Sequence, residues 1–389
     1  MKLAKDTSFP GYRRENGSVG VRNYVALIAV DHAGAPVVDT VCKFVRGTRP
    51  VSHQYGRLQF GRDLELTFRV LIGAGVNPNV AAAVVVGIEP NWTHRIADEI
   101  ERKTGKPVRT VHVVGNGTIN AIAEAARHAV ELVWRTSEMR REPVDVSDLV
   151  VSIKCGASDT TSGIASNPVV GVAATKVVDL GGTLIFGETT ELAGGEHIIA
   201  ERAANDAVRS RFLKMFNDYI SFAKAQGVDI MGSQPTQENI AGGLSTIEEK
   251  ALGNIQKVPD RPVQGALEEG EAPQGKGLYF MDSSSSAQEQ VTLCAAAGAA
   301  VHLFSTGQGN TVGNPILPVV KVTGNPNTAA SMVENIDVDV SGIVRGTMGV
   351  EEGGEKVFEE MLKVASGKMT KAEILSHDNF TINRAYKSM

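Results

Sequence analysis

The sequence has little of several features that mark specialised classes of protein. It contains three cysteines in 389 residues, too few for a disulfide framework, which favours a reducing cytoplasm. No apolar run approaches the roughly 20 residues of a membrane span, and the first residues lack the apolar segment of a signal peptide. The net charge of −5 gives no bias toward polyanions, so neither nucleic acid nor a membrane is an expected partner.

Aromatic residues make up 5% of the chain, whereas glycine is frequent at 41 residues, which suits many tight strand-to-helix turns. From residue 24, short runs rich in Val and Ile alternate with longer amphipathic segments, a pattern typical of parallel strands joined by helices. A charged stretch at 140–148 divides this pattern. We predict an α/β protein of two Rossmann-like lobes with mostly parallel sheets, 1–145 and 146–389. In the second lobe we predict a helical excursion and loop near 200–275, with a long helical segment at about 196–225 and a surface loop at 258–275.

Ligands of open α/β sheets bind at the carboxyl ends of the strands, so we expect the active site there and between the lobes. The loop that follows the first strand of the second lobe combines a cation, a thiol, a carboxylate and hydroxyls. Its polar side chains are Lys154, Cys155, Asp159, Thr160, Thr161 and Ser162. Such a loop can bind an anion, or Asp159 can simply cap the helix that follows.

Three further loops carry polar groups at predicted strand ends. Segment 187–197 holds Glu188, Glu191 and His197, which suit a divalent metal or a general base, although acidic residues also favour a helix start. Segments 281–286 and 304–310 are rich in small donors that can hold a carboxylate or sulfonate, or form capped turns. These donors are Ser283, Ser284, Ser285, Thr306, Gln308 and Asn310.

In the first lobe, His53 and Arg57 lie close together in sequence. Arg57 can clamp a carboxylate, and His53 can be a ligand, a base or an ordinary loop residue. Gly115-Asn116-Gly117 is not a dinucleotide fingerprint, and the sequence has no Walker A, C-x-x-C or H-E-x-x-H motif. A nicotinamide-linked dehydrogenase is therefore disfavoured. The density of titratable groups at strand ends disfavours a purely regulatory or scaffold subunit.

Motifs spread in order over nearly the whole chain resemble the altronate/galactarate dehydratase family. They are Gly11-Tyr12-Arg13-Arg14-Glu15-Asn16-Gly17, Asn77-Pro78-Asn79-Val80, Cys155-Gly156 with Ser158-Asp159, Gly187-Glu188-Thr189 with Glu191, Glu249-Lys250, and Phe280-Met281-Asp282. Within the family, segments 55–61 and 281–285 resemble the carbon–sulfur lyases more than the sugar-acid dehydratases.

The resemblance implies a lyase that removes a β-substituent from a small anionic 2-hydroxy acid. We expect release of sulfite from 3-sulfolactate to give pyruvate, with loss of water from a sugar acid as the alternative. The resemblance also implies Fe²⁺ or another divalent metal, which we place at Glu188, His197 and Cys155. Since the first family motif begins at residue 11, it implies a separate small subunit of the SAF type.

In this hypothesis Arg57 and Lys154 neutralise the anions of the substrate and leaving group. His53 or Glu191 is the base, and the loops 159–162, 283–285 and 306–310 bind the substrate. We further expect the large subunit to form a homo-oligomer and to act in the cytoplasm.

Overall fold

The computed structural model describes residues 7–230 and 234–389. Its strands form one antiparallel and two parallel sheets. In chain order the strands are β1 (Ser8–Arg13), β2 (Val19–Gly20), β3 (Tyr24–Ala29), β4 (Thr48–Val51), β5 (Val80–Gly87), β6 (Val108–His112), β7 (Glu142–Asp145), β8 (Val150–Gly156), β9 (Thr183–Phe186), β10 (Val263–Leu267), β11 (Gly277–Met281), β12 (Val301–Thr306), β13 (Val319–Thr323) and β14 (Val338–Asp339).

Helices connect most of these strands and cover the faces of the two parallel sheets. In the described ranges they are α1 (Ala35–Phe44), α2 (Gly61–Val76), α3 (Pro90–Thr104), α4 (Thr118–Thr136), α5 (Asn167–Asp179), α6 (Glu196–Glu201), α7 (Asp206–Ala225), α8 (Gln237–Ala241), α9 (Ile247–Ile255), α10 (Ala287–Ala296), α11 (Pro326–Ser331), α12 (Val350–Ala365) and α13 (Lys371–Ile374). None of these helices is long and apolar enough to cross a membrane.

The first lobe contains a four-stranded parallel sheet in the order β4-β3-β5-β6. All residues of the central strand β5 are buried, as expected for a parallel strand with both faces covered. Alternate residues of β3 and β5 pack against α1 and α4 on one face and against α2 and α3 on the other. Because helices cover both faces of the sheet, the apolar runs in this half of the sequence are continuous and do not alternate with polar residues.

The second lobe contains a seven-stranded parallel sheet in the order β10-β11-β9-β8-β12-β13-β14. From β8 the chain crosses to β9 on one side, whereas β12 lies on the other side of β8. The carboxyl ends of β8 and β12 therefore flank a topological switch point, where open α/β sheets form ligand-binding crevices. The prediction of an α/β fold with two mostly parallel sheets is confirmed.

Two asparagines of the first lobe form hydrogen bonds to backbone carbonyls of the second lobe. The amide of Asn77 donates to the carbonyls of Ala295 and Ala299 at 2.8 and 2.9 Å. The amide of Asn79 donates to the carbonyls of Ala300 and Ile316 at 3.0 and 2.9 Å. Both asparagines are fully buried, so these bonds satisfy backbone groups that would otherwise lose their hydrogen bonds. The Asn-Pro-Asn motif thus fixes the relative position of the two sheets.

Two local predictions were wrong. Segment 258–275 is not a simple surface loop, because it contains β10, the edge strand that pairs with β11. Tertiary pairing stabilises this strand although prolines flank it and Gly265 interrupts it. Segment 196–225 is not one helix, since it breaks between α6 and α7, where the side chain of Asn205 accepts the N–H of Val208 as an N-cap.

Candidate active site

The ends of β8 and β9 bring Lys154, Cys155 and Glu188 together. Glu188 follows β9 with φ of +66°, a left-handed conformation that costs a non-glycine residue about 1–3 kcal/mol. Its backbone N–H donates to Oγ of Ser283 at 2.9 Å. A Cβ on Gly187 would lie 2.4 Å from the same Oγ, so glycine is required where the ends of β9 and β11 approach. The surrounding structure thus holds Glu188 in a strained but defined position.

The carboxylate of Glu188 lies between two ammonium groups. Lys154 Nζ lies 2.8 Å from Oε1, and Lys257 Nζ lies 2.8 Å from Oε2. All three side chains are at most 1% exposed. Burial alone would raise the pKa of Glu188, but the charges of Lys154 and Lys257 outweigh burial and hold it well below its usual value. The group is therefore a carboxylate anion at neutral pH.

A third ion pair joins Glu191 to α9. Oε1 of Glu191 lies 3.2 Å from Nζ of Lys250, and the two side chains are 12% and 7% exposed. Lys250 Nζ also donates to the side-chain oxygens of Gln234 and Asn239. Oε2 of Glu191 is buried and has no hydrogen-bond partner in the described ranges. Glu191 therefore has one oxygen held by a cation and one buried oxygen without a partner in the described ranges, and its side chain does not line the cavity beside these ion pairs.

A cavity of about 440 Å³ opens beside these ion pairs. Its lining includes Cys155, Ser158, Thr160, Lys250 and Asn254, with α9 forming one wall. Cys155 Sγ lies 3.2 Å from Oδ1 of Asn254 and 3.7 Å from Nζ of Lys257. The cavity is of a size that suits a small polar ligand, and its lining includes one ammonium group, a thiol, several neutral donors and the carboxylates of Asp159 and Glu249.

Most predicted donors of the loop after β8 are used within the protein. Asp159 accepts hydrogen bonds from Thr161 Oγ1, from the N–H of Ser162 and from the amide of Asn325. Thr160 bonds through its N–H and its hydroxyl to the carbonyl of Gly242. Asp159 thus stabilises the turn at the start of the helix that follows β8. Thr160 and Ser162, together with Asp159, still line the cavity.

The donors after β11 and β12 also make internal contacts. Ser283 Oγ accepts the N–H of Glu188, Ser284 Oγ donates to Glu289, and Ser285 Oγ lies 2.7 Å from Thr190 Oγ1. The remaining three, Thr306, Gln308 and Asn310, bond respectively to Gly309, Glu238 and Val312. None of these six residues is among the lining of the 440 Å³ cavity.

Three residues predicted for the active site lie apart from the Glu188 cluster, by which we mean Lys154, Cys155, Glu188 and Lys257. His197 is exposed in the first turn of α6, and Arg57 is 43% exposed and 3.6 Å from Glu89. His53 is buried in the first lobe, where its Nδ1 accepts the N–H of Tyr55 at 3.1 Å. Burial lowers the pKa of His53 to about 4, so its ring is neutral at pH 7. Their assigned roles stay predictions.

A second cavity, of about 560 Å³, lies between the lobes and is lined by residues of α2, α7 and the C-terminal segment 383–386. Asp282 and Ser284 line it, so the loop after β11 separates it from the Glu188 cluster. Burial raises the pKa of Asp282 to about 6. The 440 Å³ cavity, by contrast, is lined by second-lobe residues.

The described residues contain one group of potential metal ligands, Cys155, Glu188 and Glu191, whose donor atoms all lie within 4.8 Å of one another. The charges around this group do not fit a divalent ion. Both oxygens of Glu188 are occupied by ammonium groups, and burial, followed by the charge of Glu188, raises the pKa of the Cys155 thiol and favours its protonated form. His197 is not part of the group. The arrangement offers one available carboxylate oxygen, fewer than the three protein ligands typical of a catalytic metal site.

Sequence reasoning missed Lys250, Asn254 and Lys257, which come from a segment remote in sequence from β8 and β9. Their spacing of four and three residues places them on one face of α9 and its C-terminal extension. This periodic polar face was a usable signal. Glu249-Lys250 also belongs to the motifs that carry the family resemblance, although it was not assigned to the site.

Comparison with known families covers both lobes. The family described as "D-galactarate dehydratase/Altronate hydrolase, second domain" matches residues 11–137. The family described as "D-galactarate/Altronate dehydratase, C-terminal" matches residues 146–388.

Individual relatives match along almost the whole chain. The "(2R)-sulfolactate sulfo-lyase subunit beta" of Chromohalobacter salexigens is 53% identical over 386 residues, which is 99% of each chain. The altronate dehydratase of Escherichia coli is 30% identical over 94% of this chain and 76% of its own length. The altronate dehydratase of Bacillus subtilis is 29% identical over 95% of this chain and 76% of its own length.

Proposed function

Since the chain belongs to the D-galactarate/altronate dehydratase family and is an enzyme of the lyase class, we propose that it eliminates sulfite from sulfolactate. The observation that carries this proposal is the match at 53% identity to a sulfo-lyase subunit over 99% of both chains. The site supports it, because a small cavity with buried cations beside it suits a small anionic substrate. The proposed products are hydrogen sulfite and pyruvate.

The proposed reaction begins with removal of the proton on C2, next to the substrate carboxylate. The C3–S bond then breaks, and the electron pair leaves with sulfite. The remaining enol of pyruvate takes up a proton at C3 as it becomes the keto acid. The C2 proton is weakly acidic, so the developing enediolate needs electrostatic stabilisation by fixed positive groups.

We assign the base to Glu191. Its Oε2 is buried and has no partner within the described residues, while Oε1 is held by Lys250. Lys250 also lines the cavity, where its ammonium group can bind the substrate carboxylate by exchanging one of its present acceptors, Gln234 or Asn239, for the substrate. The neutral donors Ser158 and Asn254 suit a sulfonate, which is a weakly basic anion. Lys154 cannot meet the substrate directly in this arrangement, because it is fully buried against Glu188 and the carbonyl of Ser285.

A partner subunit is part of the proposal, since the sulfo-lyase relative is named a beta subunit. We propose that the partner is a small subunit of the SAF type and that the large subunit forms a homo-oligomer. Binding of Fe²⁺, which the family resemblance implies, stays a prediction, and the proposed elimination does not depend on it.

The test is an anaerobic assay of the chain with and without its co-expressed small subunit, in buffers containing Fe²⁺ or EDTA. We expect sulfite and pyruvate to appear in a one-to-one ratio from 3-sulfolactate. Altronate and galactarate serve as competing substrates. Formation of a 2-keto-3-deoxy acid from either sugar acid, without sulfite release from sulfolactate, would place the chain among the dehydratases instead.

A further inference from the structure

We propose that Glu188 is a positioning residue that fixes the ammonium groups of Lys154 and Lys257 beneath the cavity, and that these cations supply the positive field a metal held by Glu188 would supply. The proposal deepens the proposed function, because it rests on an anionic substrate in the neighbouring cavity. It also separates Glu188 from the metal role that the sequence analysis predicted for it.

The geometry gives each oxygen of Glu188 its own ammonium partner. Oε1 meets Lys154 and Oε2 meets Lys257, both at 2.8 Å, and the backbone N–H of Cys155 lies 3.3 Å from each oxygen. The fully buried carboxylate therefore accepts from two ammonium groups, from the backbone N–H of Cys155 and, at 3.8 Å, from the thiol of the same residue. A metal ion at Glu188 would have to displace an ammonium group and leave it buried without its counter-ion, which is strongly unfavourable.

The lysines are also fixed at their other contacts. Lys154 Nζ donates to the carbonyl of Ser285 at 3.0 Å, and Lys257 Nζ donates to the side chain and carbonyl of Asn254. The strained φ of Glu188 shows that the fold maintains this arrangement at some cost in backbone energy.

Lys257 lies close enough to the cavity to act on a bound anion. Cys155 lines the cavity, and its Sγ lies 3.7 Å from Lys257 Nζ, so the ammonium group is one side chain behind the cavity wall. The ion pairs of Lys154, Lys257 and Lys250 with Glu188 and Glu191 contain three ammonium groups and two carboxylates. In a buried site of low polarisability, fixed charges of this kind stabilise an enediolate without reorganising.

The first test measures metal binding in the Glu188→Gln variant, purified with its small subunit. Wild type and variant are titrated with Fe²⁺ under anaerobic conditions, desalted, and analysed for iron per chain, with Glu201→Gln on the exposed end of α6 as the matched control. We expect the same iron content in all three proteins and a melting temperature lowered by several degrees in Glu188→Gln alone. Loss of half or more of the iron in Glu188→Gln alone would overturn the proposal.

The second test uses Lys257→Met, with the exposed Lys224→Met as its control. If Glu188 were a metal ligand, removal of a competing cation would tighten iron binding, whereas we expect no change. We expect kcat for sulfite release to fall about 100-fold with KM changed less than about threefold, as for loss of one fixed charge that stabilises a transition state. In Lys257→Ala, whose shorter side chain leaves room for a small cation, ethylammonium should raise kcat at least tenfold, whereas tetramethylammonium, which cannot donate to Glu188, should not.

The outcomes separate this proposal from the proposed function. An unchanged kcat in Lys257→Met, or a loss with raised KM and no rescue of Lys257→Ala by either cation, would assign Lys257 a merely structural role and overturn the proposal. If the wild type releases no sulfite from sulfolactate, the proposed function fails. The iron analysis of Glu188→Gln would still decide the role of Glu188, and the kinetic test would then use the sugar acid that the enzyme accepts.

Discussion

The two parallel sheets end in different kinds of site. At the switch point of the first lobe, between β3 and β5, Asp31 accepts the backbone N–H groups of Ala33, Gly34 and Ile88. At the second lobe, the corresponding edge carries buried ion pairs beside a cavity. A carboxylate in the first lobe thus closes its crevice with local hydrogen bonds. In the second lobe, two carboxylates instead hold charges drawn from distant segments.

This difference shows how one fold serves two purposes. Backbone N–H groups that bond to both oxygens of a buried carboxylate build a stable turn. Buried ammonium groups are costly to bring out of water, so their accumulation at one sheet edge indicates a function that needs positive charge there. The comparison predicts that charge removal is most costly in the second lobe and that the polar groups of the first lobe act mainly on stability.

The largest effect is expected for Lys154→Met. The change leaves Glu188 buried with one ammonium partner, which should lower the free energy of unfolding by about 3–5 kcal/mol. Urea unfolding measures the loss. The control is Arg57→Met, because Arg57 is 43% exposed in its pair with Glu89, and exposed pairs contribute about 0–1 kcal/mol. Equal losses in the two variants would remove the distinction between the two edges.

The fold was predictable from the sequence because its signals are local. The runs that form β5, β8 and β12 are apolar and bounded by polar, Gly-rich loops, which suffices to indicate buried parallel strands. Strand β10 was not predictable, since its sequence Val-Gln-Gly-Ala-Leu has no strand pattern and depends on pairing with β11. The helix break at Asn205 was missed because an N-cap inside a polar helix leaves the overall periodicity intact.

The site was predictable only in part, for a similar reason. Lys154 and Cys155 lie near the carboxyl end of β8 and Glu188 follows β9, and the rule that carboxyl ends meet at one edge brings them together. The partners of Glu188 and Glu191 include Lys257 and Lys250, which reach the edge from α9 and its extension. No local pattern states which distant lysine meets which carboxylate. The serine loop after β11 was assigned to substrate, yet its hydroxyls are used to hold Glu188 and neighbouring loops.

A smaller effect, in the first lobe, concerns pH. Burial lowers the pKa of His53 to about 4 from 6.5, so the folded state favours the neutral ring. Its contribution to stability is therefore complete above pH 6.5 and is lost as the pH falls from 6.5 through 4, by up to about 3 kcal/mol. In His53→Asn, whose side-chain oxygen can accept the N–H of Tyr55, this loss should be absent. Urea unfolding of both proteins at pH 7.5, 5.5 and 4.5 measures the difference, and parallel pH profiles would contradict the prediction.

The smallest effect is expected for Asp31→Asn. The variant keeps one acceptor oxygen but places an NH₂ group against the N–H of Ala33 and Gly34 or of Ile88, so one or two buried donors lose their partner. The expected loss is about 1–2 kcal/mol in the free energy of unfolding, while the rate of sulfite release stays within about threefold of wild type. If that rate instead dropped by about two orders of magnitude without loss of stability, the first-lobe edge would have a direct part in the reaction. The two edges would then form one composite site, and the contrast between them would have to be abandoned.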